Sequence, residues 1–482
     1  MLITLVGRLV QFALMFASVK IMTHLLTPVE MGKVALITTT TSLFALFLVN
    51  PVGMFINRRL HAWVHARRFR SYFHAYVGYL AAVSLFAAVV LFAGYHAGLD
   101  LGGAPLAWVI ALVCGSLLFN TIATTLVPAL NMVQRVQAFT LLTLGTLVAS
   151  LGLSVWLNHA GTPSAERWLA GTLLGQALFG AIAYVVFFSR KHGQSGQDGE
   201  PLRIGSIGRT QWVSMLSFCW PIALAVLLQW SQMQGYRFLL AERFGLAQLG
   251  MYAAGYGVAA SLISAMETLL TTWYQPIFYR MANSTDAAQR DRAWPVYASV
   301  MVPVSTLGMT ALIAVSPSLP KLLLGAAFHD AGHYVLLGAL AEWARMLVGV
   351  VGLHAHRHMS THRLIVPNLL GMIVTYLVLL GTITRLGLLA APVAMFVGGL
   401  IVVAYIWSHS YRDDPHATLA WRPIVGCCAI AAVLAALSVF LQTTLSIAVS
   451  TAAAAGVCLI VGLLWAALGG LALRQGLLKL NT

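Results

Sequence analysis

Charge is scarce in this chain: only 9% of its 482 residues are charged, and acid is scarcer still, with 13 Asp and Glu against 28 Lys and Arg. A soluble globular domain carries about 25% charged residues, so water is not the solvent for most of this surface. No hydrophilic stretch is long enough to form a domain that holds nucleic acid. The formal net charge of +15 therefore does not mark a nucleic-acid binder; most Lys and Arg sit in short connectors between apolar runs. Cysteine is also sparse. Cys114, Cys219, Cys427, Cys428 and Cys458 all lie inside apolar runs, without disulfide or metal spacing, and read as small buried hydrophobes. There is no Gly-rich phosphate loop, so ATP hydrolysis is not expected and no cofactor is implied. Nor is a cleavable signal peptide expected: the apolar run from Leu2 carries Arg8, and no small-residue cleavage site follows it. That run reads as a first membrane span.

What fills the chain is apolar sequence, 60% of all residues, with a mean hydropathy of +0.85. Runs of roughly 20 residues recur along its length, enough to cross a hydrocarbon layer of about 30 Å. In lipid each backbone polar group must be satisfied internally, which makes each run a helix. The pattern predicts fourteen spans, at 4–26, 34–56, 72–95, 105–127, 138–157, 168–188, 212–240, 251–273, 295–315, 331–353, 364–384, 388–407, 423–441 and 446–468. The expected organisation is an all-α polytopic membrane protein. Six spans form an N-terminal lobe (1–189), a connector covers 190–211, six more spans form a second lobe (212–410), and two spans close the chain (411–482).

Orientation follows from the basic residues of alternate connectors. Nineteen Lys and Arg fall on the side of the connector that holds Arg58, Arg59, Arg67, Arg68 and Arg70. Five, namely Lys33, Arg167, Arg243, Lys321 and Arg385, fall on the other. The basic side is expected in the cytoplasm, with both termini, and the membrane is expected to be the inner, cytoplasmic one.

A weak internal similarity links the segment 26–35 to the segment 244–253 at an offset of 218 residues. Each joins a helix exit, a short connector and a Gly (Gly32, Gly250) that opens the next helix. Repeats of six spans in like orientation are related by an axis along the membrane normal; chance similarity is the alternative.

Four basic residues lie within the apolar runs: Arg8 and Lys20 in the first, Arg237 in the seventh, Arg345 in the tenth. Each costs about 2.5–3.5 kcal/mol at the centre of a span, less where Lys20 and Arg237 can snorkel outward. Arg345 has Glu342 three residues before it, the spacing of an internal ion pair; Glu267 in the eighth run is the other buried acid and a candidate for ion coupling beside Glu342. Trp230, Gln234 and Arg237 stand at i, i+4, i+7 and share a helical face, suited to hold a sugar next to an anion; hydrogen bonding between helices is the plainer reading. Because residues twelve apart point about 120° from one another, Arg8 and Arg237 rank above Lys20 and Arg345 as anion ligands. His354, His356, His358 and His362 include i, i+4 pairs with metal-like spacing but have no acid or thiol beside them. A cytoplasmic basic loop facing lipid head groups is the expectation there.

The Gly7-Arg8 opening and the stretch Leu25-Leu26-Thr27-Pro28-Val29-Glu30-Met31-Gly32 resemble the start of Wzx-type polysaccharide flippases. Tyr236-Arg237-Phe238-Leu239-Leu240 through Leu249-Gly250-Met251-Tyr252, Tyr274-Gln275-Pro276-Ile277-Phe278 and Leu386 through Ala394 are similar in the same way. The likeness covers nearly the whole chain through short motifs. That family belongs with MurJ-type lipid II flippases and MATE exporters. The resemblance implies two six-helix lobes about a central cavity and transport of undecaprenyl-diphosphate-linked oligosaccharide to the outer leaflet. The implied partners are that lipid-linked oligosaccharide, membrane lipids, and a polymerase and chain-length regulator of the same pathway. Two departures stand out: Tyr236 occupies a place where relatives often carry Asp, and the basic leader before the first span is almost absent. A MATE-like exporter of cationic drugs remains open as an alternative, although it would want cavity carboxylates where bases outnumber acids. A membrane enzyme such as a polymerase or acyltransferase is a further one, although the outer loops are short and carry no catalytic constellation.

Overall fold

A computed structural model describes residues 2–56, 69–188 except 99 and 134, 209–357 except 283, 365–413, and positions 429, 433 and 436. Twelve long helices overlie the first twelve expected spans. They are α1 (Leu2–Leu25), α2 (Pro28–Ile56), α3 (Phe69–His96), α4 (Leu106–Asn131), α5 (Val136–His159), α6 (Ala165–Phe188), α7 (Arg209–Trp230 continuing to Phe244), α8 (Leu246–Ala282), α9 (Ala287–Val315), α10 (Gly332–Arg357), α11 (Ile365–Leu386) and α12 (Ala390–Asp413). Among the described residues ten helical segments are long and apolar enough to cross a membrane, the last of them holding both α11 and α12. In α1 the apolar part is shorter, Val10–Leu25. The thirteenth and fourteenth expected spans lie outside the described residues, three isolated positions apart, as do the connectors 57–68 and 189–208.

Local chemistry sets the helix boundaries. Thr27 caps α2, its hydroxyl accepting from the Glu30 backbone N–H at 3.4 Å, and Pro28 takes the first helical position, where its missing N–H is no loss. Gly245 ends α7 at φ +81° and Gly387 separates α11 from α12 at φ +56°, conformations that a Cβ disfavours. Three helices are locally widened to π turns, at Ala45–Val49 in α2, Ser116–Asn120 in α4 and Ser231–Gly235 in α7. A widened turn disturbs the regular carbonyl pairing, and in lipid no water makes good the loss. Tyrosines serve instead: Tyr79 donates to the Leu48 carbonyl at 2.8 Å and Tyr376 to the Ser231 carbonyl at 3.2 Å.

By packing the chain divides into two compact units, Met1–Trp230 with Arg237–Gly250, and Ser231–Tyr236 with Met251–Thr482. Helix α7 contributes to both: Ser231–Tyr236 belongs with the second unit and the rest of the helix with the first.

Within the first unit, α5 and α6 pack through small polar residues. Ser154 Oγ donates to the Trp168 carbonyl at 2.8 Å and Ser150 Oγ to the Thr172 carbonyl at 3.1 Å, the close approach expected of membrane helices that have no hydrophobic drive to associate. Glu30 ties α2 to α6: its carboxylate accepts from the Ala165 N–H at 2.7 Å, at the helix start, and pairs with Lys33 at 2.8 Å. The two members of the 218-residue similarity meet in this unit. A Cβ on Gly32 would overlap the Leu246 carbonyl, and one on Gly250 would overlap the Pro28 carbonyl. Leu246 and Gly250 stand 218 residues after Pro28 and Gly32, so each glycine covers the counterpart of the residue that covers it.

Within the second unit, Trp294 of α9 is buried, donates to the Val350 carbonyl of α10 at 3.0 Å and packs on Trp407 of α12 with ring centroids 5.5 Å apart. Gln232, from the π turn of α7, is buried against Gly371 of α11 and Gly398 of α12.

Candidate functional site

Among the described residues, the basic side chains of the apolar helices sit in three settings, two in the first unit and one in the second. The first is where α7 crosses α2. The indole N–H of Trp230 donates to Ser42 Oγ at 2.9 Å, and the Arg237 guanidinium donates to Thr39 Oγ1 at 3.2 Å. Both anchors come from the hydroxyl run Thr38–Ser42. Arg237 is half-buried and Thr39 fully buried, so the guanidinium lies against a neutral hydroxyl oxygen of α2. Gln234, the middle member of the expected i, i+4, i+7 face, lies in the π turn and goes with the second unit. The widened turn departs from the regular spacing on which that shared face rests.

The second place is the start of α1. Arg8 donates to Gln11 Oε1 at 2.9 Å and lies 5.7 Å from the centroid of the Phe139 ring on α5, within cation–π range. A shallow cleft opens here, lined by Gly7, Arg8, Gln11, Phe139, Thr140 and Thr143. Lys20, three turns further along α1, is exposed.

The third place is the core of the second unit. Arg345 of α10 bonds Glu342 Oε2 at 2.6 Å through Nε and Glu267 Oε2 of α8 at 2.7 Å through a terminal nitrogen. Tyr256 donates to the other oxygen of Glu342. A second tyrosine pair extends from it: Tyr252 stacks on Tyr256 at 5.6 Å and its hydroxyl lies 2.6 Å from that of Tyr236. The Glu342–Arg345 pair stands as its spacing implies. The cross-helix arm to Glu267 brings two carboxylates to one guanidinium. Arg345 is thereby committed to acids, and the cluster carries one negative charge more than it has positive when both acids are ionised.

The four basic residues thus have different surroundings: aromatic and amide for Arg8, exposure for Lys20, hydroxyls for Arg237, carboxylates for Arg345. The histidine cluster lies outside the described residues in its side chains. Tyr256, which sequence reasoning passed over, has a signal in retrospect: Tyr252 and Tyr256 are spaced i, i+4 on one face of α8.

A family model described as "Polysaccharide biosynthesis protein" matches residues 21–333. Among solved structures, the chain is similar to "Lipid II flippase MurJ, inward closed conformation", with 10% identity, a TM-score of 0.69, and coverage of 97% of this chain and 98% of that one. It is also similar to an inward-facing multidrug resistance MATE family transporter of the MOP superfamily, with 12% identity, a TM-score of 0.57, and coverage of 84% and 98%. At such identities the likeness is one of fold. No curated protein matches the sequence.

Proposed function

The chain belongs to the polysaccharide biosynthesis protein family, and from that membership we propose that it is a flippase for lipid-linked oligosaccharide. It moves an undecaprenyl-diphosphate-linked repeat unit, an O-antigen or exopolysaccharide precursor, from the cytoplasmic to the periplasmic leaflet of the inner membrane. Both termini and the basic connectors face the cytoplasm. Such a substrate has a sugar head too polar for hydrocarbon, an anionic diphosphate, and a tail that stays in lipid. Its carrier needs fixed positive charge at membrane depth. Arg237, donating to the Thr39 hydroxyl of α2 beside the Trp230–Ser42 bond, is the observation that carries this reading. A guanidinium grips phosphate oxygens with two parallel N–H bonds where an ammonium offers a point charge. Arg8 is the second ligand, and Trp230 and Lys20 flank the path. An inside-negative potential favours outward movement of the anion by about 2.3 kcal/mol per charge per 100 mV.

Glu267 and Glu342 are the proton-coupling groups of this reading, with Arg345 as their internal counter-ion. A metal cation would have to displace a guanidinium already bonded to both acids; a proton only has to land on one of them. The same geometry weighs against an exporter of cationic drugs, because both carboxylates are spent on Arg345.

The test is glycan export in a strain deleted for the gene and complemented with variants. Arg237→Ala should lower export at least tenfold and Arg237→Lys less, with membrane abundance unchanged in both. Full export by both Arg8→Ala and Arg237→Ala refutes the anion-gripping mechanism.

A further inference from the structure

Helix α8 carries a second pattern. Ser264, Glu267, Thr268, Thr271, Thr272 and Gln275 stand at i, i+3, i+4, i+7, i+8 and i+11, the spacing that places residues on one side of a helix. At 100° per residue they span an arc of about 140°, and at 1.5 Å per residue they run about 16 Å along the axis. Every residue of the stripe is polar, inside a helix apolar enough to cross the membrane. None of the six is buried, and Ser264 and Thr272 are exposed, while Ile263 and Leu270 beside them are buried.

A lipid-facing surface of the same unit looks different. On α11 the exposed residues Leu369, Ile373, Leu377 and Leu380 follow helical spacing without a polar member. A single Ser or Thr bonded back to its own helix is tolerated in lipid, but a continuous stripe that includes a carboxylate and an amide is not economically solvated by hydrocarbon. The stripe therefore faces water at membrane depth.

Its chemistry narrows the ligand. Thr268, Thr271 and Thr272 each donate their hydroxyl hydrogen to the backbone carbonyl four residues earlier, at 2.8, 2.8 and 2.6 Å. Their oxygen lone pairs remain as acceptors. Gln275 adds both donor and acceptor. Glu267, the one charged member, is already paired with Arg345 at 2.7 Å. The stripe thus has no positive charge for a phosphate, its one carboxylate is held by Arg345, and it offers a row of acceptors for O–H groups. We propose that it is the wall along which the oligosaccharide head group passes, a subsite for neutral, hydroxyl-rich sugar separate from the arginines that take the diphosphate. It rests on the flippase reading.

The experiment uses the full chain with its five cysteines replaced. Single cysteines at Ser264, Thr268 and Thr272 are compared with cysteines at Leu377 and Leu380 for reaction with a charged, water-soluble thiol reagent. The three stripe positions should react at least tenfold faster. In the deletion strain, Ser264→Leu combined with Thr272→Leu should lower glycan export at least fivefold at unchanged membrane abundance, while Ser264→Ala, which removes one hydroxyl without adding bulk, should lower it less. Equal, slow labelling at all five positions overturns the wet stripe. Fast labelling with full export by the double Leu variant overturns the sugar contact. A wild-type chain that restores no export removes the flippase reading, and the sugar with it, whatever the labelling shows.

Discussion

Arg345→Met keeps much of the side chain's length and removes the guanidinium that Glu342 and Glu267 share. Deleting one partner of a buried ion pair costs roughly 3–5 kcal/mol, because the other charge is left uncompensated. Exposure moderates the figure here: the Arg345 and Glu267 side chains are 25% and 27% accessible, and that of Glu342 only 6%. Tyr256 also keeps its bond to Glu342. A loss of about 3 kcal/mol at pH 7 follows, the lower end of that range after discounting for solvent screening. Thermal unfolding of the detergent-solubilised protein at pH 7, followed by tryptophan fluorescence, reads this loss directly. Adding Glu267→Gln and Glu342→Gln to Arg345→Met should restore most of the lost midpoint. A variant that unfolds at the wild-type temperature, or one that the two Gln substitutions do not rescue, refutes the charge reasoning.

Cysteines introduced beside Arg68, Arg203, Arg290 and Arg357 should resist a membrane-impermeant reagent applied from the periplasmic side; labelling of any one breaks the assigned orientation. Gly250→Val should reduce the amount of folded protein recovered by size exclusion at least threefold, since its Cβ overlaps the backbone of Pro28. Gly257→Ala, whose Cβ meets nothing within 4 Å, should leave recovery unchanged; equal recovery of the two proteins removes the close crossing.

The helices were readable because each is an apolar run bounded by Gly, Pro or charge, and the Glu342–Arg345 pair because three-residue spacing within one helix needs no knowledge of the fold. Glu267 is 78 residues from Arg345, and only packing brings α8 to α10. The π turn at Ser231–Gly235 has no spacing signature, so the face expected for Trp230, Gln234 and Arg237 assumed an unbroken α-helix. Gly32 and Gly250 were visible as counterparts in a repeat, but their mutual crossing is a property of packing. The stripe on α8 was legible throughout; one hydroxyl is unremarkable in a membrane helix, and only the exposure of the whole row sets it apart from ordinary helix–helix polar contacts.

The central claim is transport of an anionic, lipid-linked glycan, and the direct measurement is translocation in proteoliposomes. Purified chain is reconstituted with undecaprenyl-diphosphate-linked oligosaccharide, and a membrane-impermeant glycosidase added outside reports how fast inner-leaflet substrate becomes accessible. The wild-type protein should exceed protein-free vesicles at least tenfold, and Arg237→Ala should fall close to the vesicle background. A wild-type rate equal to that of empty vesicles, with a cationic dye expelled by the same preparation, would contradict the account.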